Sequence, residues 1–145
     1  MSYRVKSRAV AMTALVSFLA VAVCAAEADA PDPSRDPLQG VWRGRDTGNL
    51  RSRWTLRVKG REFRFEGPGP QEWYEGTVML HDTSPGGIDL EIARCDCTYK
   101  GSKSLGLYAV DGDGLTFIGA EPGYPRPEAL ETGGRTLLMN LRRLE

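Results

Sequence analysis

Two short stretches of this chain have residue types and spacing that could carry chemistry. In "LYAVDGDGLTF", residues 107 to 117, acidic residues alternate with glycine, as they do in calcium loops. An EF-hand loop places oxygen ligands at its first, third and fifth positions, a glycine at the sixth and a bidentate glutamate at the twelfth. Counting from Asp111 puts Asp113 third, but Leu115 fifth, Thr116 sixth and Pro122 twelfth, so the calcium reading fails. The same residues suit a hairpin turn, because glycine accepts positive φ and aspartate bonds neighbouring amides.

The second stretch is Cys95-Asp96-Cys97. On a regular strand these cysteines point the same way with Cα atoms about 6.5–7 Å apart, the long limit for a disulfide, so an internal bond needs a bend here. A local disulfide or free thiols, an intermolecular disulfide, and metal binding all remain open at this level. His81 is the only histidine and, with Asp82, is the nearest candidate to complete a metal site, but four ligands at zinc-site spacing cannot be assembled. No metal ligand is assigned.

No catalytic residue is assigned either. The chain has no Gly-x-Ser-x-Gly elbow, no His-Glu-x-x-His and no phosphate-binding glycine loop. Any triad would depend on His81, and nothing in the spacing selects Ser84, Ser102 or Ser104 as its nucleophile. Paired carboxylates such as Asp111 and Asp113 are common in turns and do not identify a glycosidase. The expectation is a non-enzymatic protein without a cofactor.

The elements around these stretches are strands. Trp54, Leu56 and Val58 alternate with polar residues, Lys59-Gly60 turns the chain, and Phe63 and Phe65 alternate in their turn. "EWYEGTVML" leads through "HDTSPGG" into Ile88, Leu90 and Ile92, followed by Leu105, Leu107 and Ala109, then Leu115 and Phe117, and finally Leu137, Met139 and Leu141. With "GVWRGR" at the start, the pattern predicts an all-β fold: an antiparallel up-and-down β-barrel of about eight strands, closed so that no edge is exposed. The long connection from Ala120 to Gly134 is placed to cap one mouth. No internal repeat occurs.

The N-terminus reads as an address. Arg4, Lys6 and Arg8 precede an apolar run from Ala9 to Ala26, the pattern of a secretory signal over residues 1–26, with cleavage between 25 and 28. Cys24 admits a lipoprotein reading, although Val23 stands where a small residue is expected. Residues 27–37, "EADAPDPSRDP", form a flexible lead-in, and the barrel domain spans 38–145. The expected location is periplasmic or extracellular. Taking Arg4, Lys6 and Arg8 from 19 basic residues and Glu27 from 19 acidic ones leaves a mature net charge of −2. That balance argues against nucleic-acid or polybasic membrane binding, and no later segment is long and apolar enough for a helical span.

Gly40-Val41-Trp42 resembles the first-strand motif of lipocalins. A longer ordered series runs Leu38, Gly40, Trp42, Gly76-Thr77, Pro85, Ile88-Asp89, Gly106-Leu107-Tyr108, Gly112-Asp113, Gly123 and Arg126-Pro127. It resembles a small lipocalin-like bacterial family, described largely from planctomycetes. The resemblance covers nearly all of the mature chain and implies an exported lipocalin-like barrel; the family supplies no activity, ligand or catalytic residue. Two departures are the short "DTGNLRS" between the first strands and the cysteines of "ARCDCTYK". In lipocalins the first-strand Trp packs beneath an Arg of the last strand, which implies a structural pair of Trp42 with Arg143, or with Arg142 as the alternative.

Function then turns on the barrel interior. Trp54, Leu56, Phe63, Phe65, Leu90, Leu107, Phe117 and Met139 form the expected inward set, bulky enough to fill a small barrel. The sharper expectation is a carrier or sensor that holds one small apolar molecule near a mouth, with Trp54, Phe65, Leu107, Phe117 and Arg126 as candidate ligand-binding residues. Arg126 lies between Pro125 and Pro127, a rigid setting from which it clamps the long crossing or meets an anionic group. The alternative is an envelope protein-interaction or inhibitor-like module with a filled core, and an enzyme is a third, remote reading.

Overall fold

A computed structural model describes residues 36–144 of the chain. The signal segment, Cys24 and all of the lead-in before Asp36 lie outside the described residues. Eight strands follow one another: β1 (Gly40–Asp46), β2 (Arg53–Lys59), β3 (Glu62–Glu66), β4 (Trp73–His81), β5 (Gly86–Cys95), β6 (Lys103–Asp111), β7 (Gly114–Ala120) and β8 (Thr136–Leu144). Each pairs antiparallel with its neighbours in sequence, and β8 closes on β1, so the sheet is a closed up-and-down barrel with no free edge. This is a lipocalin-like architecture, and the described residues include no helix.

Period-two alternation sorts the side chains. On β2 and β3 the inward residues Leu56 and Val58 stand opposite Phe65 and Phe63, while Arg57 and Lys59 face solvent. Two hairpins turn on glycine. Gly112 has φ +56° at the first of two loop positions between Asp111 and Gly114, and Gly60 has φ +61° at the matching position between Lys59 and Glu62. A positive φ there gives the loop a twist that matches the strands, and glycine takes it without a Cβ clash.

The two ends of the barrel differ. At the first end Leu38 and Trp42 are fully buried, and the Trp42 indole N–H donates to the Leu38 carbonyl at 2.8 Å. Arg143, the direct cross-strand partner of Trp42, lies with its guanidinium carbon 4.1 Å from the centre of the Trp42 ring. Its N–H groups donate to the carbonyls of Gln39 and, at 2.9 Å, Pro37, so the residues just before β1 are held against this end of the barrel.

One inward assignment is corrected. The core-facing residues of β6 are Ser104, Gly106, Tyr108 and Val110, which puts Leu107 on the outer face opposite Ile118. Both are buried although they face outward. The segment after β7 starts at the far end of the barrel and reaches the outer face of β5 and β6. There the Arg126 guanidinium ion-pairs with Asp89 and donates to the carbonyls of Gly106 at 2.6 Å and Ile88 at 3.1 Å. Gly87 makes room for this, since a Cβ on it would come within 3.4 Å of Arg126 and 3.0 Å of His81.

Candidate functional site: an apolar cavity at the open end

The second end of the barrel, where β1, β3, β5 and β7 finish, is hollow. A cavity of about 350 Å³ opens there. Its apolar wall is mainly aromatic. Trp54 stacks on Phe65 with ring centres 4.6 Å apart, and Phe65 in turn packs against Tyr74 at 6.4 Å and edge-on to Phe117 at 6.3 Å. Offset and edge-to-face contacts of this kind hold rings in fixed orientations. Leu90, Ile92 and Leu137 complete the aliphatic part.

The void has a local cause. The inward positions of β6 and β7 at this end are Ser104 and Gly119, and Gly106 faces Gly119 across the pair. Small residues at successive inward positions leave unfilled the space that Leu115, Met139 and Leu141 fill nearer the plug. A Cβ on Gly119 would sit 3.1 Å from the Phe117 ring and 3.2 Å from Ser104 Oγ, so the Phe117 ring lies close over the bare backbone.

The rim is polar. Tyr99 donates its hydroxyl to Glu121 Oε1 at 2.7 Å, and Arg135 donates to Glu121 Oε2 at 2.9 Å, so the β5–β6 turn is joined to the ends of β7 and β8 across the mouth. Those two hydrogen bonds hold the Glu121 carboxyl below the usual range, and the same carboxylate raises the Tyr99 phenol. Ser104 uses its hydroxyl internally, donating to the Ala120 carbonyl at 2.7 Å. Trp54 is 9% exposed, and its indole N–H has no acceptor among the described residues, which leaves one donor in the wall unpaired.

Cys95 and Cys97 sit in that same β5–β6 turn and are joined to each other, with Cα atoms 5.2 Å apart. The chain bends at Asp96, directly after β5 ends, and the bend shortens the regular-strand spacing to one that a disulfide spans. The Tyr99 amide lies 3.4 Å from Cys97 Sγ, so the bridge adjoins the residue that reaches over the mouth. His81 is at the opposite end of the barrel, where Nε2 lies 3.1 Å from Asp89 Oδ2. The metal set that pairs His81 with the cysteines is therefore not assembled. Among the described residues no group of three or more His, Cys, Asp or Glu side chains is placed to hold a metal.

Of the candidate ligand-binding residues, Trp54, Phe65 and Phe117 line the cavity together. Leu107 and Arg126 do not. Leu107 faces outward, for the reason given above, and the Arg126 guanidinium is committed to Asp89 and two carbonyls outside the barrel. Burial alone would raise the Asp89 carboxyl, but Arg126 and His81 outweigh that and lower it. Tyr74, Tyr99, Glu121, Arg135 and Leu137 are cavity residues that sequence reasoning did not select; the small inward residues Ser104 and Gly119 were the available signal.

Fold and cavity together define a class of protein: a closed eight-stranded barrel plugged by Trp42 and Arg143 at one end and open to an apolar, aromatic-lined chamber at the other. No family model, curated protein or solved structure matches this chain.

Proposed function

We propose that this protein is an exported, non-catalytic carrier or sensor of a small apolar molecule, built on a member of the lipocalin-like family that its motifs resemble. The observation that carries the reading is the cavity of about 350 Å³, open at one end, mainly aromatic on its wall, with one unpaired indole donor there and its charged groups at the rim. Ligand sites of small proteins are concave and mostly apolar, with a few placed polar groups, and their volumes begin at about 300 Å³. The basic head and apolar run within residues 1–26 support export.

Titration with N-phenyl-1-naphthylamine, a neutral apolar fluorophore, tests the reading in wild type and in Leu137→Trp, which places a larger side chain in the chamber. The expected result is saturable binding at one site per chain, weakened at least about tenfold in the variant at an unchanged melting temperature. Binding that does not saturate, or that is equal in both proteins, would overturn it.

A further inference from the structure

Net charge argues against a generally basic surface, but the cations are segregated on one face, and we infer that the outer face of β8, β1 and β2 docks on an anionic phospholipid bilayer. The outward positions of these three adjacent strands carry Arg142 on β8, Arg43 and Arg45 on β1, and Arg53, Arg57 and Lys59 on β2, with no carboxylate between them. Of these only Arg57 makes an ion pair among the described residues, with Glu66 of β3. The adjoining face follows another rule. There charges alternate in sign and join in one chain, from Arg57 to Glu66, Arg64, Glu75 and Arg94.

The register sharpens the contrast. Arg43 stands directly opposite Arg142, and Arg45 directly opposite Arg53. Like charges at opposed positions destabilise a sheet, and a barrel whose net charge is close to zero has no general surplus of cations to place there. The repulsion is relieved when an anionic surface lies over the stripe.

What flanks the stripe indicates a bilayer. Leu50 and Leu144, two of the four exposed large apolar side chains among the described residues, stand at its two ends, 64% and 38% exposed. Leu50 is held outward by an ordered turn between β1 and β2, in which Ser52 N–H donates to the Asn49 carbonyl at 2.9 Å and Thr47 N–H donates to the Leu138 carbonyl of β8 at 2.9 Å. Guanidinium groups meet phosphate headgroups while leucines enter the acyl boundary beneath them. A nucleic acid offers the leucines nothing comparable.

Flotation of the purified chain with phosphatidylglycerol-rich vesicles and with pure phosphatidylcholine vesicles tests the inference. Binding should occur on the first only and weaken as salt rises. The combined variant R43Q/R45Q/R53Q/R142Q should bind at least about 100-fold more weakly, at roughly fivefold per arginine, and should melt no lower than wild type because it removes two repulsive pairs. Leu50→Ser should weaken binding severalfold at unchanged stability. Equal flotation with both vesicle types, retained binding in the arginine variant, or retention of the protein by duplex DNA and not by vesicles would each overturn it. Fluorophore binding in the same arginine variant keeps the cavity separate: it should be unchanged, so failure on vesicles and failure of the carrier reading are read independently.

Discussion

Arg143 lies over the Trp42 ring at 4.1 Å while its N–H groups donate to the carbonyls of Gln39 and Pro37. One side chain thus closes an aromatic stack and secures the segment that enters β1, at the end of the barrel opposite the cavity. Its contribution is to packing and closure, and it should be visible in stability and not in ligand binding. Arg143→Ala should lower unfolding free energy by about 3 kcal/mol, and Arg143→Lys, which keeps the charge and loses the planar fork, by about half of that. Equilibrium urea unfolding measures both, and fluorophore affinity should not change in either.

The contact between Arg126 and Asp89 should behave as a half-buried ion pair. Arg126→Ala leaves Asp89, 8% exposed, beneath the crossing segment without its cation, and should cost about 2 kcal/mol; adding Asp89→Asn should recover part of the loss. Because the folded Asp89 carboxyl is lowered, the unfolded chain binds more protons in acid. The pair's contribution is therefore full above the ordinary aspartate value near 3.9 and is lost as pH falls through the lower folded value. Urea midpoints measured down the acid range should show a steeper decline in wild type than in Asp89→Asn.

The disulfide should matter locally. It closes a loop of only three residues, and chain entropy assigns such a loop roughly 1.5 kcal/mol or less. Cys95→Ala/Cys97→Ala should therefore shift the urea midpoint little, while the rate of fluorophore release rises several-fold because Tyr99 loses the bend that positions it. Stopped-flow release with and without reductant measures this in the wild-type protein.

Tyr99→Phe isolates the bridge over the mouth. It removes the hydrogen bond to Glu121 and leaves the apolar ring in place, so stability should change by less than about 1 kcal/mol while fluorophore release speeds up. Wild-type release should also accelerate in acid, once pH falls below the lowered Glu121 value and the carboxylate that joins Tyr99 to Arg135 is protonated.

The strands were legible because alternation is a property of neighbouring residues. Trp54, Leu56 and Val58 declare one face of β2 with no reference to the rest of the chain, and Gly112 marks its hairpin in the same way. Leu107 was not legible, because β6 carries apolar residues in both phases: Tyr108 and Val110 face the core while Leu107 is buried on the outer face, next to the Gly106 carbonyl that Arg126 reaches. The cavity was hidden for a different reason. Bulky Trp54, Phe65 and Phe117 suggest a filled barrel, and the space depends on how Ser104, Gly106 and Gly119 are juxtaposed across strands, which register alone decides. The prolines on either side mark Arg126 in the sequence, but its partner Asp89 lies 37 residues away on another strand.

Native mass spectrometry of the protein purified from its own host without detergent tests the central claim most directly. The account predicts a bound small molecule at one per chain, displaced by N-phenyl-1-naphthylamine and absent from Leu137→Trp. A wild-type protein that carries no small molecule and takes up none from an extract of its host's lipids would contradict it.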